Sequence, residues 1–489
     1  MGLVTQKVRP LMGLLQWELL GYGLYRAWIL EHMAFARSFQ AQSAVSSDAL
    51  ANLPLWTLYL AISASAATFF FLQKACRTRL LEELVPDCMA ACGLIGSSCV
   101  AFAAVSGNNE VLLAGFALAG LSGGFFEVKW SLYFLRLAKD AVYCNFLLAI
   151  LLTSVYGIFT SAILPPEAFF ATALSLFVGM AFLERMAKER NRKLGHDDGW
   201  THIGALSPEA DSSMGKKGRN ARKVFRRIVF ASALYCVVHV SAITLCAASA
   251  PNDHFIRHLA NFAAVGILLA LFLAKGTLAS IELSKFVLPL TAAGLFLLLI
   301  DARYLGDAAH FLLCFSNKLF EILIWVLVID FIGALSVSAA AAFGGIVAAR
   351  NIGSFIGSLL SLSVLSMVGP DASNWTGFVS ALTMLSIVTL LWMLSEKTFF
   401  DPLYRVNASQ VVQTNESTAD SSIKALLNLA RERKLTSREI DVLLLLVRGK
   451  NRATIAEELC ISQNTVHTHI MHVYQKLGVH DQQELIKMI

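Results

Sequence analysis

Apolar runs of about 17–25 residues, separated by short polar breaks, fill the first four-fifths of the chain. A run of that length matches an α-helix crossing a hydrocarbon core of about 30 Å. Six such runs fall near 11–30, 54–73, 85–105, 111–135, 141–164 and 167–184. A polar segment follows over 185–227, then six more runs near 228–249, 258–274, 285–300, 308–332, 340–367 and 375–395. The apolar stretch 308–367 can be divided in more than one way. The pattern predicts an all-α membrane bundle of about twelve spans over 1–396, six on each side of a central loop at 185–227.

Beyond Leu394 the pattern changes twice. Residues 397–422 are rich in Ser, Asn, Thr and Gln and read as a polar linker. If flexible, it reaches roughly 25–30 Å, enough to clear the headgroups. From 423 to 489 the apolar spacing becomes that of short amphipathic helices. Thr436 and Glu439 form a capping box, and Ile440, Leu443, Leu444 and Val447 make a stripe that ends at Gly449. A short helix through Ile455, Ala456 and Leu459 turns at Cys460-Ile461, and Ser462 caps the next. That helix turns Val466, Ile470, Val473, Tyr474 and Leu477 inward and stops at Gly478. Asp481 and Glu484 form a second capping box that opens a terminal helix. Two short helices joined by a tight turn describe a helix-turn-helix, whose second helix can enter the major groove of double-stranded DNA.

Composition supports the lipid-facing reading: 56% of residues are hydrophobic and only 15% charged. The formal net charge of +6 matters through its placement. Lys7, Arg9, Lys74, Arg77, Arg79, Arg136, Lys139 and eleven basic residues of the central loop lie on one side of the predicted bundle. The opposite loops hold little beyond Arg37, Arg257 and Arg303. The positive-inside rule therefore puts both termini and the central loop in the cytoplasm. The central loop reads first as a topology determinant resting on anionic lipid. The nine cysteines have no zinc or redox spacing and read as small buried hydrophobes. No phosphate-cradling loop, receiver domain or metal-ligand pattern is visible, so no enzyme activity, catalytic residue, metal or cofactor is expected.

The run LTSREIDVLLLLVRGKNRATIAEELCISQNTVHTHIMHVYQKLGVHDQQELI resembles the LuxR/NarL-type helix-turn-helix of bacterial transcription regulators. The likeness covers about one seventh of the chain. It implies a four-helix domain that binds promoter DNA as a homodimer, with the terminal helix at the interface. Carried over by position, it implies DNA-facing roles for Asn464, Thr465, Val466, Thr468, His469 and Lys476. His467 stands on the same face, where the family most often has lysine or arginine, and Ala453 stands where lysine is frequent. From Ser422 onward ten Lys and Arg face seven acidic residues, which suits weak docking to phosphates.

The six-plus-six layout with a basic central loop resembles the major facilitator architecture, two parallel six-helix halves. Phe125-Phe126-Glu127-Val128 in the fourth span echoes Leu319-Phe320-Glu321-Ile322 in the tenth. The loop Gln73-Lys74-Ala75-Cys76-Arg77-Thr78-Arg79 keeps basic charge but lacks the glycines and aspartate usual in that family's transporters. Charges within spans are Glu18, Arg26, Glu127, Lys129, Lys318 and Glu321, with Arg350 and Asn351 in the eleventh. They read either as ion pairs that fix the bundle or as the lining of a small-molecule site. The functional expectation is a one-component regulator in a bacterial inner membrane; the alternative is a transporter with an appended regulatory domain.

Overall fold

The computed structural model describes residues 15–43, 52–72, 79–135, 137, 139–163, 169–193, 216–249, 253–275, 280–331, 338–368 and 376–394 of the first part of the chain. Nearer the C-terminus it describes 433, 435–436, 439–440, 442–443, 446, 455–456, 463–477 and 479. The chain divides into two compact units, Met1–Tyr404 and Arg405–Ile489. The linker expected at 397–422, residues 194–215 of the central loop and the terminal helix expected from Asp481 lie outside the described residues.

The first unit opens with a 3₁₀ turn, Trp17–Leu20, that leads into α1, Gly21–Ser43. The first half continues with α2 (Leu53–Leu72), α3 (Arg79–Ser106), α4 (Asn109–Phe134), α5 (Lys139–Ile163) and α6 (Phe169–Lys193). The second half comprises α7 (Lys216–Ser249), α8 (Asp253–Lys275), α9 (Ser280–Phe331), α10 (Ala339–Val368) and α11 (Thr376–Leu394). Asp301 breaks α9 with an extended backbone (φ −162°, ψ 99°), so its two arms supply the ninth and tenth predicted spans. The described residues therefore contain six helical arms in each half. Among the described residues, seven helices are long and apolar enough to cross a membrane by length and composition.

Two boundaries differ from the sequence pattern. The first helix runs to Ser43, past the predicted end near 30, because His32 and Phe35 still face protein. The central segment is partly helical, since α6 continues to Lys193 and α7 begins at Lys216. A helix needs no polar boundary where it leaves lipid, and basic side chains are compatible with helix at that level.

Within each half, α1 packs on α5 and α6, α2 and α3 pack on α4, and α7 packs on α10. The halves meet along two seams, α2 against α10 and α5 against α8. Close approach rests on small residues, as in other membrane helix pairs. A Cβ at Gly23 would run into the Ala149 carbonyl of α5, and one at Gly353 into the Ala233 carbonyl of α7. Hydroxyls add bonds at the same contacts: Thr153 donates to the Gly23 carbonyl at 2.9 Å, and Ser241 to that of Gly357 at 2.9 Å. Phe102, Phe182, Phe230, Phe286 and Phe296 are exposed on the outside, as a lipid-facing surface requires.

The second unit has its own core. Leu435, Val442, Leu443, Leu446, Ile455, Ala456 and Val479 gather around the inner face of α12, Gln463–Leu477.

Candidate functional site

In the membrane unit the two glutamates of the echoed motif converge on one arginine. Arg26 of α1 donates through Nη1 to both Glu127 oxygens at 3.2 Å, and its Nη2 lies 2.6 Å from Glu321 Oε1. Glu321 also accepts from Lys318 at 2.7 Å, as the i, i+3 spacing expects, and faces Arg350 of α10 at 3.6 Å. Tyr22 donates to Glu127 at 2.9 Å. The network joins α1 and α4 of the first half to α9 and α10 of the second. Its members are 2–17% exposed at the ion-paired side chains, so the charges interact through a weakly screening medium.

This ionic layer separates two environments. On one side is an aromatic plug: Phe146 of α5 stacks on Trp325 of α9 at 4.3 Å, and Tyr22, Phe134 and Phe343 pack around them. On the other side lies a cavity of about 140 Å³. Arg26, Glu127, Lys318, Glu321, Arg350 and Asn351 border it, together with Tyr25, Tyr59, His239, Arg257 and Asn261. Along α1 the order runs from Tyr22 in the plug to Met33 at the cavity, toward the helix's C-terminal end.

Four of the six intramembrane candidates thus line the cavity, and two do not. Lys129 pairs with Glu184 of α6 at 2.5 Å, and Tyr133 donates to the same carboxylate at 2.8 Å. Glu18 pairs with Arg190 at 2.5 Å, where α6 extends past the apolar run. Both are ties within the first half. Arg257 lies near the start of α8 and reads as a topology signal, whereas His239 and Asn261 are uncharged polar groups inside their helices, which the rule for charges within spans does not select. Only the fold brings residues of α8 and α1 to one cavity.

In the second unit the capping box forms. The Thr436 N–H donates to Glu439 Oε2 at 2.7 Å, and the Glu439 N–H reaches Thr436 Oγ1 at 3.4 Å. Glu439 also receives Lys476 of α12 at 2.7 Å and faces His472 Nδ1 at 3.5 Å. Burial alone would raise the Glu439 carboxyl, but the Lys476 ammonium and the Thr436 donors outweigh it and hold it at about 2.

The outer face of α12 carries Gln463, Asn464, Thr465, His467 and Thr468 exposed, with His469 half-buried. Val466 is the exception among the expected DNA-facing residues. It is fully buried in the core, so it orients the helix and cannot offer its side chain to a base. Lys476 is only about one-third exposed and holds Glu439, so a phosphate must compete with that carboxylate. Met471, 54% exposed on the same face, escaped notice because methionine in a helix reads as core. An apolar side chain there can meet a thymine methyl.

Residues 433–489 match the model of the bacterial regulatory proteins, luxR family. Over 59 residues the chain is 44% identical to the HTH-type transcriptional regulator MalT of Serratia proteamaculans (strain 568). It is equally similar to that of Yersinia pestis. Each match covers 12% of this chain and 6% of the relative, so the chain spans a small fraction of the curated relatives it matches. The human organic anion transporter MFSD10 (TETRAN) is similar in structure, with a TM-score of 0.50 and 15% identity over 79% of this chain and 99% of that one. A POT family transporter in complex with 5-aminolevulinic acid gives a TM-score of 0.52 and 13% identity over 78% and 96% of the two chains. Residues 433–489 are a luxR-family helix-turn-helix domain, and the helices from Gly21 to Leu394 are a membrane bundle with a transporter-like fold.

Proposed function

We propose that the chain is a membrane-bound one-component bacterial transcription regulator. Its membrane unit senses a small molecule in the cavity between the halves, and its helix-turn-helix binds promoter DNA as a dimer. One observation carries the reading: a luxR-family domain shares a polypeptide with a transporter-like bundle that buries a charged cavity. The basic side chains favour an inner-membrane protein with both termini in the cytoplasm. In that orientation the plug faces the cytoplasm and the cavity faces outward, so the sensed molecule comes from outside the cell. No catalytic step is required.

A ligand shifts the bundle only by its difference in affinity for two states. A polar linker transmits shape poorly, which favours control through dimerisation, where tethering raises the effective concentration. Footprinting tests the proposal. Full-length protein, or a 423–489 segment fused to an unrelated dimerisation module, protects two half-sites about 10 base pairs apart, and the monomeric segment does not. Equal, sequence-independent binding by all three contradicts it.

A second reading is a working transporter with a regulatory appendix, favoured by the fold and by Arg26 bridging both halves. It predicts uptake in proteoliposomes that Glu127→Gln or Glu321→Gln abolishes, with DNA binding indifferent to substrate.

A further inference from the structure

The ionic layer beside the cavity does not balance. Three cations, Arg26, Lys318 and Arg350, share two carboxylates, Glu127 and Glu321. Glu321 divides its charge among all three, and Arg350 holds the longest of its contacts at 3.6 Å. The Nε atoms of Arg26 and Arg350 are buried and have no hydrogen-bond partner. Those Nε atoms are closed off, so what Arg350 offers the cavity is the rest of its guanidinium, 17% exposed and held by a long contact to a shared counterion. Arg350 borders the cavity, with Asn351 and Ser354 beside it on α10.

We infer that this cavity is a carboxylate site, which takes a small organic acid with its carboxylate on Arg350 and its hydrocarbon body against Tyr25, Ile29, Leu30 and Tyr59. A planar guanidinium fork matches a carboxylate, and the aromatic and aliphatic side chains supply the apolar wall common to ligand sites. The charge excess selects the class. An anion offsets the positive excess whereas an amine would add to it, and the apolar wall favours an organic acid over inorganic phosphate, which has no hydrocarbon body to bury there. At about 140 Å³ the cavity suits a small acid. The assignment deepens the sensor reading and rests on it only for the link to transcription.

The test uses full-length protein in lipid nanodiscs. Binding is measured for acetate, butyrate, octanoate, benzoate and succinate, each against its neutral amide, and for inorganic phosphate and butylamine. At least one acid binds ten-fold or more tighter than its amide and raises the melting temperature, and Arg350→Gln brings the acid-to-amide ratio below three-fold. Arg350→Lys, which keeps the charge, retains part of the preference. Should Arg350→Gln not fold, the acid-to-amide ratio on unaltered protein and the lysine variant still decide. No binding by any acid, amides binding as tightly as acids, or preference for phosphate or butylamine overturns the assignment. DNA occupancy is read separately on the same samples. Acid binding without a change in occupancy leaves the carboxylate site standing and removes the sensor reading. A cavity-dependent change in occupancy without acid binding does the reverse.

Discussion

Arg26 of α1 and Glu321 of α9 lie 2.6 Å apart, and through this contact the two halves of the bundle share one buried ionic layer. Arg26 also holds Glu127, the counterpart of Glu321 in the first half. The two halves therefore present one carboxylate each to a single guanidinium, and relative movement of the halves must stretch these contacts.

The two glutamates are not equivalent, and their replacement separates them. Glu321 is counterion to three cations and Glu127 to one. Glu321→Gln takes the counterion from both Lys318 and Arg350 and should cost about 3–5 kcal/mol. Glu127→Gln keeps the Tyr22 contact and costs less. Thermal unfolding of the two variants in the same detergent checks the order.

Helix contact makes a sharper prediction. Gly353→Ala drives a methyl group into the Ala233 carbonyl and should cost roughly 1–3 kcal/mol. Gly377→Ala meets nothing within 4 Å and should be neutral or slightly stabilising. Parallel melting curves provide the comparison.

The spans were readable because lipid imposes length and apolarity together, and the helix-turn-helix because its caps and inward residues are local. Val466, Ile470, Val473 and Leu477 are buried at the positions the spacing selects. The cavity was only half readable. Charges inside apolar runs marked Arg26, Glu127, Lys318 and Glu321, yet the same rule marked Glu18 and Lys129, which pair within one half. Cost in lipid signals that a charge has a partner, not which partner. That Glu127 and Glu321 share Arg26 depends on how the halves meet, which no local pattern encodes.

In the second unit Glu439 links stability to acid. Its carboxyl stands at about 2 in the folded domain against an ordinary value near 4.5. The stabilisation is therefore complete above about pH 4.5 and is lost as pH falls toward 2. Denaturant titration of a 405–489 fragment should show falling stability over that window. Glu439→Gln should flatten that part of the profile and cost roughly 1–3 kcal/mol at neutral pH.

His467 is exposed on the outer face of α12, where a permanent positive charge would reach phosphate. His467→Lys should tighten binding across DNA sequences and steepen the dependence of log affinity on log salt by about one unit. Salt titrations of the wild type and variant on one duplex supply the two slopes. An unchanged slope removes His467 from the DNA face.

In the proposed regulator the membrane cavity governs where the helix-turn-helix sits on the genome. Genome-wide occupancy of the full-length chain in cells, comparing wild type with Arg350→Gln at matched abundance and membrane insertion, reads this out. Discrete two-half-site targets should change occupancy at least five-fold in the variant, although Arg350 belongs to the membrane unit. Identical occupancy in the two strains would contradict it.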